Sequence, residues 1–271
     1  PMKSHAEEKP VQLEEVVVTA TKTQTPVEQT GASVTVIKRE EIERRQATDA
    51  IQILREQPGF SLIQTGGRGQ LNASIFIRGG NNDMNLVLID GMKVNQGGGF
   101  FDYRDLTTTG VGTVEIVRGP QSALYGADAM TGVIQFFTPR GRGPFSAWTS
   151  AGAGNYDTTE ERVGFSWGNK LAGAFFEFDR VDTTGISDKN NEYRNHTGVL
   201  RLDLSPSEQI EVTTTGRFLQ SRIEFPTENE GDRLQPFLDP RQFAEHEHFV
   251  GTFGSRYRQT GWIEHRFKVG V

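Results

Sequence analysis

The sequence predicts a small α+β domain followed by antiparallel β-strands suited to a membrane barrel. Three observations carry this. Aromatic residues are sparse before residue 143 and dense after it, 8 of Phe, Tyr and Trp against 18. The change falls at Thr138-Pro-Arg-Gly-Arg-Gly-Pro144, a composition typical of linkers. Beyond it, polar and apolar residues alternate with period two over segments of about 9–11 residues, the length a tilted membrane strand needs.

Composition removes several function classes. The 271 residues carry 29 Lys and Arg against 35 Asp and Glu, a net charge of −6 with no basic run, so nucleic acid has no electrostatic footprint here. There is no cysteine, which removes disulfides, thiolate metal sites and cysteine nucleophiles. No run of about 18 apolar residues offers a transmembrane helix. Alternating membrane strands leave no such peak.

The elements follow in order. Residues 1–13 are polar and unpatterned, which predicts a flexible terminus. Glu14-Glu-Val-Val-Val-Thr-Ala-Thr21 is a short β-prone segment; it fits either edge-strand pairing with another protein or the first strand of a sheet. Ser33–Ile37 is a strand candidate, and Lys38–Arg45 a charged helical turn with Ile42 as its apolar point. Thr48 or Asp49 can cap a second helix, with Ile51, Ile53 and Leu54 facing inward, ended by Pro58-Gly59. A strand begins at Leu62–Ile63. The loop Gln64–Asn72 is glycine-rich but has no Walker lysine and no GxGxxG before a helix, so it is not a phosphate cradle. Strands Ser74–Arg78 and Asn85–Asp90 flank the polar loop Gly79–Met84. Asp90-Gly91 is a tight turn. The loop Asn95–Tyr103 follows Val94, and two apolar strands, VEIV and GVIQFF, flank Arg118-Gly-Pro-Gln-Ser-Ala-Leu-Tyr-Gly126.

The second part alternates. Val163, Phe165 and Trp167 share one face, as do Leu200, Leu202 and Leu204. Ile210, Val212 and Phe218 oppose Glu211, Thr213, Thr215 and Arg217. His248–Tyr257 and Trp262–Val269 repeat the pattern. Short connections (Asn169-Lys170, Pro206–Glu208, Gln259–Gly261) alternate with long polar ones (Thr183–Asn195, Ile223–Glu245). A soluble β-sandwich also alternates, but short turns on one rim and long loops on the other favour an outer-membrane barrel.

Three motifs, in order, resemble the TonB-dependent outer-membrane receptors. Glu14–Ala20 (EEVVVTA) resembles the TonB box. Ile75–Gly91 (IFIRGGNNDMNLVLIDG) and Val114–Thr138 (VEIVRGPQSALYGADAMTGVIQFFT) resemble the two plug signatures. Thr131-Gly132 stands where the family often has Gly-Gly, and Gln135 and Phe136-Phe137 replace the usual residues. The spacing is most similar to the cobalamin and small-siderophore branch. The resemblance implies three regions: a flexible N-terminus with the TonB box (1–25, box 14–20), a plug domain (26–141) and the N-terminal part of a transmembrane β-barrel (142–271). Plugged barrels have about 22 strands, so the resemblance also implies that the 271 residues are part of a longer protein.

Function and residue roles follow from the same resemblance. It implies TonB-driven uptake of a scarce large solute, siderophore-iron or cobalamin-like, at the outer membrane of a Gram-negative-type bacterium. Glu14, Glu15, Val16, Val17, Val18, Thr19 and Ala20 would pair with TonB. The plug apices would meet the ligand, such as a metal chelate. Arg68, Gln70, Asn72, Asn81, Asn82, Asn95 and Gln96 would offer hydrogen bonds, and Phe100, Phe101 and Tyr103 apolar contact. Arg78 and Arg118 would either lock the plug to wall carboxylates or satisfy plug carbonyls. Outer-membrane lipid is the further expected partner. No cofactor and no catalytic residue is expected, since no paired-carboxylate or Ser/His arrangement stands out. His246 and His248 share a strand face, and Ser187–Glu192 is acidic, but neither has the pattern of an established metal site. The alternative is a plug-like ligand-binding protein without transport.

Overall fold

The structure is a computed structural model that describes residues 16–64, 73–186, 190–225, 227–228, 238–239, 242–259 and 263–271. In chain order, the first elements are β1 (Val16–Val17), β2 (Thr25–Pro26), β3 (Ser33–Lys38), α1 (Arg39–Arg44) and α2 (Ala50–Leu54). Then come β4 (Phe60–Gln64), β5 (Ala73–Ile77), β6 (Asn85–Ile89), β7 (Met92–Lys93), β8 (Thr113–Arg118), α3 (Ser122–Tyr125) and β9 (Gly132–Phe137). The central sheet has five strands in the order β3-β8-β9-β6-β7, with β6 and β9 parallel and the other pairs antiparallel. Strands β4 and β5 form a separate hairpin.

Local chemistry explains these elements. Asp49 caps α2 by accepting from the backbone N–H of Gln52 at 2.9 Å, satisfying an otherwise orphaned donor. Ile51, Ile53 and Leu54 on α2 pack with Ile37, Ile75, Ile77, Ile116, Ile134 and Phe136 in one core. Asp90 and Gly91 take φ of 47° and 78°, both positive, as a two-residue hairpin turn requires. The Asp90 carboxylate then accepts from Thr138 N at 2.8 Å and Thr138 Oγ1 at 2.6 Å, tying the start of the linker to this turn. The RGPQSALYG stretch joins β8 to β9. Gly119 (φ 110°) and Gly126 (φ 87°) bracket the single turn α3, so both direction changes use glycines in the region closed to most side chains.

The second part is a meander: β10 (Ser146–Gly154), β11 (Thr158–Gly168), β12 (Ala172–Thr183), β13 (Tyr193–Ser207), β14 (Ile210–Glu224), the short pair β15 (Thr227–Glu228) and β16 (Leu238–Asp239), β17 (Phe243–Arg258) and β18 (Glu264–Gly270). Apart from β15 and β16, these form one antiparallel seven-stranded sheet in sequence order. The sheet is open among the described residues, with β10 and β18 at its edges. Alternation sorts the two faces as the sequence predicts. Leu200, Leu202 and Leu204 are 42%, 44% and 54% exposed, whereas Val199 and Asp203 are buried. The outward face is an apolar band fit for lipid. One detail differs: the connection 155–157 is short although it lies on the rim of the long connections. Tyr156 and Asp157 both take positive φ there, 59° and 50°, closing a tight hairpin where a long loop is the usual arrangement.

The inward face is polar, yet Glu177, Asp179, Asn195 and Thr197 are fully buried. The plug covers them.

Candidate functional site

The functional geometry has three parts: the contact of plug with wall, the upper surface of the plug, and the docked N-terminal segment. The contact centres on Glu177 of β12. Its carboxylate accepts from Arg39 Nη2 at 2.8 Å, from Gly110 N at 2.6 Å and from Trp148 Nε1 at 3.1 Å. Burial would lower the Arg39 pKa, but Glu177 reverses this and holds it above its ordinary value. Wall arginines add donors to plug carbonyls. Arg217 reaches Thr109 O at 2.7 Å and Thr107 O at 3.0 Å, and Arg201 reaches Thr138 O at 2.7 Å. Gly110 (φ 62°) presses against Val199, and an added Cβ would lie 2.5 Å from that side chain. We therefore expect Gly110→Ala to lower stability by about 1–3 kcal/mol through overpacking and positive-φ strain. Thermal unfolding of the protein checks this.

Nearer the long-connection rim, a second contact joins plug to wall. Asp105 Oδ2 lies 3.0 Å from His246 Nδ1, and Arg104 Nη2 lies 2.7 Å from His246 Nε2. Tyr193 donates its hydroxyl to Asp105 Oδ1 at 3.2 Å. Burial alone would raise the Asp105 pKa, but His246 and Arg104 outweigh it and hold the value below 3.8. A depressed carboxylate contributes stability that is full above its unfolded pKa and lost as pH falls through the folded one. Acidification from neutral to below pH ~4 should loosen the segment around Asp105. The readout is its hydrogen exchange, corrected for the intrinsic pH dependence, and Asp105→Asn should flatten the response. His246 is thus engaged by the plug. No cluster of three or more metal-ligating side chains occurs among the described residues. Residues 187–189 of the acidic segment lie outside the described residues.

The plug surface corrects several sequence expectations. Asn82 is buried: its Oδ1 accepts from Ile75 N at 3.4 Å and its Nδ2 donates to Phe101 O at 2.8 Å. Asn95 is occupied in the same way by Val87 N, Asn85 O and Gly99 O at 2.8, 2.9 and 2.6 Å. These amides brace the loops by satisfying backbone groups; Asn82 is thereby closed to a ligand, whereas Asn95 is half-buried. Tyr103 is fully buried in the core, and burial raises its pKa well above 10. Asn81 and Gln96 are exposed, and Phe100 and Phe101 half-buried. Asn95, Gln96 and Phe101 line a cavity of about 210 Å³ together with Asp105, His246 and Phe249. Arg68, Gln70 and Asn72 lie outside the described residues.

The two signature arginines are not paired with wall carboxylates among the described residues. Arg118 donates to Pro58 O at 2.9 Å and Thr35 Oγ1 at 2.8 Å, because β8 lies inside the sheet and turns this side chain onto β3 and the end of the α2 segment. Its Nη2 is buried without a partner among the described residues. Burial lowers its pKa, and the neighbouring Arg78 does so further. Arg78 is exposed and takes φ 50°. The carboxylate that does hold the plug, Glu177, and its partner Arg39 are residues that sequence reasoning missed. The available signal was an acid on the inward face of an alternating strand, which must find a partner when covered.

The N-terminal segment lies at the opposite rim. Glu14 and Glu15 are outside the described residues. Val16–Val17 pairs with Thr25–Pro26 in a two-residue ladder. Val17 and Ala20 pack against Val117 of β8. Val18 and Lys22 border a cavity of about 540 Å³ that is also lined by Arg201, Glu211, Arg256 and Lys268 of the wall.

Comparison with known proteins agrees with this architecture. Residues 26–133 match the family described as TonB-dependent Receptor Plug Domain. The vitamin B12 transporter BtuB of Vibrio vulnificus (strain CMCP6) is 38% identical over 176 residues, which cover 62% of this chain and 28% of that protein. The chain therefore spans little over a quarter of that relative's length. Among solved structures, the alcaligin outer-membrane receptor FauA from Bordetella pertussis superposes with a TM-score of 0.75 at 19% identity, covering 94% of this chain and 41% of that one. The siderophore receptor PiuA from Acinetobacter baumannii gives 0.73 at 20% identity, covering 91% and 37%. At those identities the likeness is one of fold. Residues 26–133 thus carry a plug domain of the TonB-dependent receptor type, and the antiparallel wall that follows has the fold of the outer-membrane receptors it resembles.

Proposed function

We propose that this chain supplies the plug and adjoining wall strands of a receptor that takes up a scarce, large solute across the outer membrane, energised by TonB. The observation that carries the reading is the N-terminal segment: a short β-prone stretch held on the plug at the short-turn rim, with only a two-residue ladder of its own. Such a segment is suited to leave and add as a strand to another protein. The solute meets the plug from the other rim. Among the described residues, the side chains of Asn81, Gln96, Phe100 and Phe101 remain open to it. Binding shifts the population in which Glu14–Ala20 is free, TonB pairs with that segment, and force loosens the plug. No bond chemistry is required.

Siderophore-iron and cobalamin are the two solute classes. The relative at 38% identity is named a vitamin B12 transporter, so cobalamin is the first ligand to test. Of the two roles expected of Arg78 and Arg118, the contacts of Arg118 with Pro58 O and Thr35 Oγ1 favour bracing within the plug over a lock to wall carboxylates. The test is equilibrium binding of cobalamin and of ferric siderophores to the full-length receptor, with uptake measured in cells with and without TonB. Uptake that persists unchanged without TonB would overturn the reading.

A further inference from the structure

Glu115 sits in the middle of β8 and is buried, yet no cation pairs with it among the described residues. A buried carboxylate without a cation needs strong donors. It finds them outside the plug sheet. Glu115 Oε2 accepts from Thr19 N at 2.7 Å and from Val18 N at 3.0 Å, and Oε1 lies 3.2 Å from Val18 N. Gln135 is the cross-strand partner of Glu115 on β9, and its Oε1 accepts from the Thr19 hydroxyl at 3.0 Å. Tyr125, at the end of the RGPQSALYG stretch, donates its hydroxyl to Thr19 O at 2.9 Å. Burial and the Glu115 charge both raise the Tyr125 pKa, so this phenol keeps the proton it donates. Lys22 lies over the Tyr125 ring, 4.7 Å from its centroid. Thr19 thus has its N–H, C=O and hydroxyl all held by plug side chains.

We propose that Glu115, Gln135 and Tyr125 form a docking site that stores residues 17–20 on the plug, with Glu115 as the latch. The site recognises backbone groups, so it competes directly with any strand that would pair with the same segment: the Val18 and Thr19 N–H groups serve either Glu115 or a neighbouring ladder. Release requires water to replace the two backbone N–H donors of Glu115. The proposal rests on the reading of Glu14–Ala20 as the TonB-binding segment only for its consequence, not for the docking itself.

The test is hydrogen exchange of the peptide spanning residues 17–21 in the full-length receptor without ligand, with peptides of β9 as the control for folding. Loss of a charged acceptor in Glu115→Gln should speed exchange roughly tenfold, and loss of one neutral hydrogen bond in Tyr125→Phe roughly threefold or more. The β9 peptides should stay at the native rate. Native rates at residues 17–21 in both variants overturn the proposal. Should Glu115→Gln also speed exchange in β9, Tyr125→Phe decides, since it removes a single oxygen at the plug surface. A parallel titration with the periplasmic domain of TonB separates the two readings. Tighter binding to Glu115→Gln than to the native receptor supports docking and TonB recognition together. Faster exchange with no TonB binding by any form leaves the docking site standing and removes the TonB assignment.

Discussion

Glu177→Ala is expected to unseat the plug from the wall. The substitution leaves the Arg39 guanidinium, the Gly110 N–H and the Trp148 indole N–H without their shared acceptor, in a place where the Glu177 side chain is 1% exposed. Arg39 is 23% exposed and keeps its pairing with Glu43, so the cost falls mainly on the Gly110 and Trp148 donors, about 1–3 kcal/mol for each left unsatisfied. The effect should exceed that of Glu177→Gln, which keeps an oxygen for Gly110 or Trp148. Limited proteolysis of the full-length receptor reads it directly: plug cleavage should rise on the order of 100-fold or more if cleavage follows the open population. Native resistance in Glu177→Ala would mean that the arginine–carbonyl contacts of Arg217 and Arg201 hold the plug by themselves.

Val18→Pro is expected to abolish uptake while leaving ligand binding within about twofold, since proline removes a ladder N–H far from the plug surface that meets the solute. The same N–H is one that Glu115 accepts, so the segment should also undock. This makes the variant distinct from Glu115→Gln. Both free the segment, but only Val18→Pro spoils its pairing with a partner strand. Uptake measured beside equilibrium binding checks the pattern, and full uptake by Val18→Pro would exclude strand addition through this segment.

Much of the fold was legible because it depends on short-range chemistry. The Asp49 cap, the Asp90-Gly91 turn and the period-two strands each follow from residues within a few positions of one another. The plug apices were less legible. Asn82 and Asn95 stand in polar, glycine-rich loops, which made them look like ligand donors, but an amide serves a backbone group equally well. Only the position of Ile75, Val87 and Asn85 relative to these side chains decides which. Arg118 illustrates the same limit, since a sequence names the guanidinium but not the carbonyl of Pro58.

By itself, the sequence determined the two-part organisation, the inward and outward faces of the wall strands and the β-prone character of residues 14–20. Hydrophobic period, turn residues and motif order are properties of neighbouring positions and survive without a fold. Tertiary structure alone decided that Arg39 and Glu177, 138 positions apart, anchor plug to wall, and that Glu115 holds Thr19 from 96 positions away. Both contacts join a buried charge to the specific donors that desolvation obliges it to find, and which donors come within reach is fixed only once the sheets are assembled.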